Sequence, residues 1–227
     1  KDILFYKYTG FFSVQNTIDV TLKNLTVSAK NYSKSSTSDS KLGKVKGGSS
    51  YDLSGSHNTN VVYDTVKLRN GTSGTMYSDA IKYWGVMGSN FNKNVTVTNS
   101  ILNRIDAHKG IHGLTITSSK IGSHNITVVG DGILNIKDTT INSNHIVALR
   151  SDYGSTWNGT IKIDNCKWKP TSNSASIIGL EYNTNHNYGY NLYYPTLNIN
   201  NLTYLSLESS QIDEMINLFH DRSNDVL

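Results

Sequence analysis

The sequence predicts an all-β fold, a solenoid of stacked parallel coils, on three observations. Its composition sets 27 Asn, 18 Gly and 14 Tyr against 5 Ala, 3 Glu and 2 Pro, which depletes the strong helix formers and favours strands, turns and left-handed corners. One octet recurs seven times: apolar, polar, apolar, polar, a small polar residue, two variable residues and an apolar one. The copies are VTLKNLTV from Val20, VVYDTVKL from Val61, VTVTNSIL from Val95, LTITSSKI from Leu114, LNIKDTTI from Leu134, IKIDNCKW from Ile161 and LNINNLTY from Leu197. Their start-to-start spacings are 41, 34, 19, 20, 27 and 36, so the central copies keep a period near 20, one coil of a solenoid. Longer spacings imply insertions or a skipped copy.

Within each octet the alternation turns two apolar side chains to one face, and the fifth residue suits a tight corner. Between octets lie second strand-like segments: Tyr83 to Gly88, Arg104 to His108, Asn125 to Val129 and Ile146 to Asp152. Each coil therefore has at least two strands, and stacking the coils makes a parallel β-helix with a Val, Ile and Leu interior. Val95, Val97, Leu114, Ile116, Leu134, Ile136, Ile161 and Ile163 are its expected inner columns. An antiparallel sandwich or jelly roll also fits many short strands, but hairpins have no reason to repeat one strand-plus-corner signature at a fixed period.

Ser28 to Ser50 and the Tyr- and Asn-rich Tyr182 to Tyr194 read as excursion loops. In the second, Tyr182, Tyr188, Tyr190, Tyr193 and Tyr194 form either a solvated loop or a sugar-stacking or subunit-contact surface. From Ser210 to Leu218 the period changes: Ile212, Met215, Ile216 and Phe219 share one helical face behind a cap at Ser210. The expected division is a β-helix domain over 1–209 and a capping helix with tail over 210–227.

The formal net charge of +4 is dispersed apart from Lys41, Lys44 and Lys46. A basic patch for nucleic acid is thus not expected, whereas a mildly basic surface raises encounter with any polyanion. No run approaches the roughly 20 apolar residues of a membrane span, so no membrane insertion is expected. A chain starting at Lys1 is expected to be a processed or excised piece. Cys166 is the single cysteine, which leaves no internal disulfide and no Cys-based metal site; its octet position predicts a buried small hydrophobe.

The sharpest chemical signal is Arg104-Ile105-Asp106-Ala107-His108. A strand that buries Ile105 and Ala107 projects Arg104, Asp106 and His108 together on the other face. Leu149-Arg150-Ser151-Asp152-Tyr153 repeats the device, with Arg150 and Asp152 outward. Coils stack about 4.8 Å apart, which places Asp106 and Asp152 roughly 10 Å apart across the coil of His124. Trp84, Met87 and Asn90 supply one edge of the expected groove, and Tyr153 and Trp157 the other. Taken singly, such Asp and Arg side chains form solvated pairs, and His108, His124 and His145 surface or loop histidines; their coincidence on one face makes the site. No cofactor is expected, although Asp106, His108 and Asp152 would be the ligands of any divalent cation held there, since no metal-binding spacing occurs in the sequence.

At these residues the chain resembles a known group. Tyr83-Trp84-Gly85-Val86-Met87-Gly88-Ser89-Asn90, Arg104 to Gly110 and Leu149 to Gly159 are similar to segments of the right-handed β-helix tail proteins of phages of Gram-positive bacteria, in particular the pectate-lyase-like preneck appendage proteins of Bacillus phages. The resemblance spans about Ser50 to Lys169. It implies a right-handed β-helix in a virion tail, extracellular, usually homotrimeric, that binds and often degrades wall teichoic acid or surface polysaccharide. Virion attachment and trimerisation segments would then lie outside this sequence.

The leading expectation is a hydrolase of a cell-wall polymer. Arg104 and Arg150 suit phosphate oxygens, His108 would protonate a leaving alkoxide, and Asp106 or Asp152 would activate water. Asp106, His108 and Asp152 are the expected catalytic residues, with Trp84, Asn90, Arg104, His124, Arg150, Tyr153 and Trp157 holding substrate. For a glycosidic bond the two carboxylates would sit near the upper limit of the inverting geometry; a lyase suits only a uronate substrate. The other reading is a non-catalytic receptor-binding module using the same groove.

Overall fold

The computed structural model describes residues 12–29, 52–70, 85–102, 104–122, 125–150, 156–170, 172, 174–181, 193–205 and 219–221. These residues form an all-β stack in which successive layers repeat one path. The first layer is β1 (Phe12–Gln15), β2 (Ile18–Lys23) and β3 (Thr26–Ala29). The second is β4 (Asp52–Ser56), β5 (Thr59–Asp64) and β6 (Lys67–Asn70). The third is β7 (Gly85–Asn90), β8 (Asn92–Thr98) and β9 (Ile101–Leu102). In the next two layers the first two strands fuse, giving β10 (Arg104–Thr117) with β11 (Lys120–Ile121), then β12 (Ile126–Lys137) with β13 (Thr140–Ile141). The last two fuse instead in β14 (His145–Arg150) with β15 (Trp157–Trp168) and in β16 (Ser176–Glu181) with β17 (Thr196–Tyr204). Strand β18 (Phe219–Asp221) opens a further layer on β16.

Every pairing among the described strands is parallel, in one curled 18-stranded sheet. The antiparallel alternative is therefore excluded, and the arrangement is compatible with a parallel β-helix. All seven octets stack in one register: Val20 pairs with Val61, Val61 with Val95, Val95 with Leu114, Leu114 with Leu134, Leu134 with Ile161 and Ile161 with Leu197. Consecutive octets are adjacent layers, so the long spacings hold insertions and no skipped copy. The eight expected inner residues are all buried, and the column continues at the third position through Tyr63, Val97, Ile116, Ile136 and Ile163.

The fifth octet residue is the corner in every copy. Asn24, Thr65, Asn99, Ser118, Asp138, Asn165 and Asn201 all have φ between 48° and 57°, the left-handed region that Asn and Asp enter at lowest cost among residues with a Cβ. Beyond each corner the sixth residue points inward. There Ser100, Ser119 and Thr139 form a buried polar column: Val66 N donates to Ser100 Oγ at 3.0 Å, Ser100 N to Ser119 Oγ at 3.1 Å and Ser119 N to Thr139 Oγ1 at 3.4 Å. Each hydroxyl donates onward to the carbonyl two residues back, at 2.7, 2.7 and 2.8 Å. Cys166 takes the same place one layer on, with Sγ 3.3 Å from Asp164 O. It is buried and free, as its octet position predicts, and burial raises its thiol pKa above the usual 9.0.

Two expectations are corrected. Phe219, assigned to the helical face, lies in β18 and pairs with Ile178; residues 210–218 and 222–227 lie outside the described residues. His145, read as a surface or loop histidine, is buried at the start of β14, where Nδ1 lies 2.8 Å from Ser176 Oγ. Its ring packs so closely on Gly179 that a Cβ there would lie 2.5 Å from Cδ2. No helix of the described residues is long and apolar enough to cross a membrane.

Candidate functional site

The motif singled out in the sequence lies in the first-strand ladder. In β10, Ile105 and Ala107 enter the core, and Arg104 and Asp106 share the opposite face. That face was expected to be exposed; instead Arg104 is 7% and Asp106 1% exposed. A guanidinium nitrogen of Arg104, Nη2, is paired with Asp106 Oδ2, and Arg150 Nη1 approaches the same oxygen at 3.9 Å. Thr127, Ile146, Ala148 and Ile177 are buried too, so this ladder is covered on both faces. The signal was present: Ile146-Val147-Ala148-Leu149 and Ile177-Ile178 are unbroken apolar runs, the mark of a strand buried on both sides. Alternation was read into the two members of the ladder that carry arginine, β10 and β14.

The register also corrects the proposed facing of the two carboxylates. Asp106 stacks on Thr127 and Thr127 on Ala148, so Ala148, and not Asp152, occupies its column two layers on. Arg150 is brought to Asp106 diagonally, one residue beyond Leu149. Trp157, expected at the groove edge, is wholly buried and donates from Nε1 to Gly132 O at 3.3 Å. Asn90 ends β7 opposite Ser56, and His108 lies within β10; their side chains are not among those described. Trp84, His124, Asp152 and Tyr153 lie outside the described residues. No three His, Cys, Asp or Glu side chains among the described residues come together as metal ligands.

A second constellation was missed by the sequence reading. Where the first strand turns into the octet strand, an open cleft of about 460 Å³ runs across several layers. Along it Lys93, His112, Asp131 and Asn158 stack in register, one per layer, on β8, β10, β12 and β15. His112 Nδ1 lies 2.6 Å from Asp131 Oδ1, with the two side chains 55% and 53% exposed. Phe91 stands at one rim, 64% exposed, at a left-handed corner with φ 58°. Its ring lies 5.3 Å from that of His57 and borders the space beside Gly110. Exposed Tyr193 lies at the other rim, held by its backbone: its N–H donates to Thr156 Oγ1 at 2.9 Å, and the same hydroxyl donates to Tyr193 O.

Gly110 and Gly130 line the cleft, and Gly159 follows Asn158 at its edge. Gly130 is pressed against the preceding layer so that a Cβ would lie 2.0 Å from Ile111 O, and Gly159 likewise 2.1 Å from Gly132 O. A polar residue set among glycines, Gly110-Ile111-His112-Gly113, Gly130-Asp131-Gly132 and Asn158-Gly159, was the sequence signal. It lies just upstream of the octets, outside the repeat that had been aligned. In chemical terms the column offers a cation, an imidazole held by a carboxylate, and an amide at successive strand spacings, between two exposed aromatic rings. Compared with protein-family models, curated proteins and solved structures, the chain gives no match.

Proposed function

We propose that the chain is a right-handed parallel β-helix of the phage tail-appendage kind, extracellular and homotrimeric, and that it binds an extended anionic wall polymer such as teichoic acid. The observation that carries this reading is the cleft column Lys93, His112, Asp131, Asn158 between Phe91 and Tyr193. A polymer lying along the stack meets a polar group at every layer, about 4.8 Å apart, and rings able to pack on the apolar faces of its repeating units. Lys93 and the net charge of +4 favour a polyanion over a neutral glycan. The buried ion cluster of Asp106 supports a structural role for that carboxylate, and the binding reading does not use it.

Isothermal titration with purified poly(glycerol phosphate) teichoic acid tests the proposal, on protein whose mass has been measured by sedimentation. Saturable binding is expected, weakened at least about tenfold in the double variant Phe91→Ala, Tyr193→Ala and reduced by added salt. Absence of saturable binding at low salt, or binding unaffected by the double variant, overturns it; a monomeric mass overturns the trimer.

A further inference from the structure

We propose that Thr156 is the positioning residue of the cleft: its hydroxyl sets where Tyr193 stands, and so fixes the interval between the two aromatic rims that a bound polymer must span. The inference rests on the binding reading above. Three observations meet at this side chain. The first is its place. Phe91, Gly110 and Thr156 directly precede Asn92, Ile111 and Trp157, which share one register column with Gly130, and all three turn the chain with positive φ, 58°, 98° and 44°. Both rims therefore hang from one line of corners, Phe91 by standing on it and Tyr193 by its bonds to Thr156. The second is its bonding. Thr156 is wholly buried, and its hydroxyl takes both main-chain polar groups of Tyr193, accepting from the N–H at 2.9 Å and donating to the carbonyl. Its own carbonyl accepts from Gly130 N at 2.8 Å, which ties the rim to the lining of the cleft.

The third is the residue type. A β-branched side chain in the left-handed region is a costly choice, and most other such corners of this chain hold Asn or Asp. Asn would bear the angle more easily, but its amide cannot donate and accept through one atom, as a hydroxyl does. Thr65, the other left-handed threonine, spends its hydroxyl within its own layer, on Asp64 Oδ1 at 3.0 Å. Thr156 instead reaches a residue 37 positions on. Phe91 stands just before β8 of the third layer and Tyr193 shortly before β17 of the seventh, so the rims are four layers, about 19 Å, apart along the stack. A polymer long enough to cross that interval meets both rings, and a shorter one meets a single ring.

The test titrates the full chain with synthetic oligo(glycerol phosphate) of increasing length and reads affinity against length beside Tm. The unaltered chain is expected to show a step in affinity, about threefold to tenfold, at the length that first reaches both rings. Thr156→Gly removes the hydroxyl together with the left-handed strain, so it should hold Tm within a few degrees and yet lose the step, as Tyr193→Ala does. Thr156→Ser should keep the step, and Thr156→Gly added to Tyr193→Ala should change affinity no further. A merely structural threonine would lower Tm and leave the dependence on length intact. The positioning role is overturned, with the binding reading left standing, if oligomers bind without a step, if Thr156→Gly keeps it, if Thr156→Ser loses it, or if the two substitutions add. Absence of binding at every length overturns both.

Discussion

Replacing Ser119 by Ala removes one oxygen from the inner polar column, and the structure gives the cost. Ser119 Oγ accepts from Ser100 N at 3.1 Å and donates to Thr117 O at 2.7 Å. The two losses are unequal. Thr117 O keeps a second donor, Asn99 N at 3.2 Å, so that side of the change forfeits only an ordinary bond. Ser100 is buried, and its N–H loses its acceptor, at about 1–3 kcal/mol for a stranded buried donor. The expected destabilisation is about 2 kcal/mol, or about 4–8 °C in Tm for a chain of this size. Urea unfolding followed by far-UV circular dichroism measures it. Ser119→Thr should recover most of the loss, since Thr139 makes the same pair of bonds one layer away. A cost for Ser119→Ala below about 0.5 kcal/mol, the range of neutral surface changes, would refute the claim that the column satisfies the backbone.

Three further outcomes follow from the same stack. Gly130→Ala and Gly159→Ala each set a methyl against a backbone oxygen of the neighbouring layer; both should destabilise by more than about 3 kcal/mol, read as lost soluble yield or lowered Tm. Asp106→Ala leaves Arg104 and Arg150 without their shared carboxylate and should cost about 3–5 kcal/mol, while the folded fraction binds polymer with unchanged affinity in a titration corrected for active protein. The buried Cys166 and the partly buried Tyr204 hold raised pKa values, in both cases chiefly through loss of solvation. The unfolded chain then ionises first as pH rises, so stability should fall from about pH 9.0 upward, and Cys166→Ala should flatten the first part of that fall in pH-dependent denaturation.

The architecture was legible because one packing problem is solved seven times. Each octet shows its corner and its inward residues independently, so Asn24 and Asn201 were as readable as Ser118, and the shared register from Val20 to Leu197 follows from that sameness. The site was less legible for a related reason. Side-chain parity told which face Arg104 and Asp106 share, but not whether that face meets solvent, which depends on chain far away in sequence. Only the double-sided apolar runs of neighbouring layers, Ile146 to Leu149 above all, carried that information. The cleft column was hidden by small register shifts between His112 and Leu114 on β10, which set Asp131 and Asn158 three residues before their octets and Lys93 and His112 two.

The common corner also makes the layers exchangeable parts. Leu114 and Leu134 stand 20 residues apart in one column, each followed by its own left-handed corner at Ser118 and Asp138. Excising residues 114–133 would join Gly113 to Leu134 and bring the Val95 layer onto the Leu134 layer with octet facing octet. Such a chain is expected to shorten by one rung and not to unravel. Growth by copying a rung would work in the same way, lengthening the cleft in fixed increments, so that its length would follow the number of rungs and not the redesign of any contact.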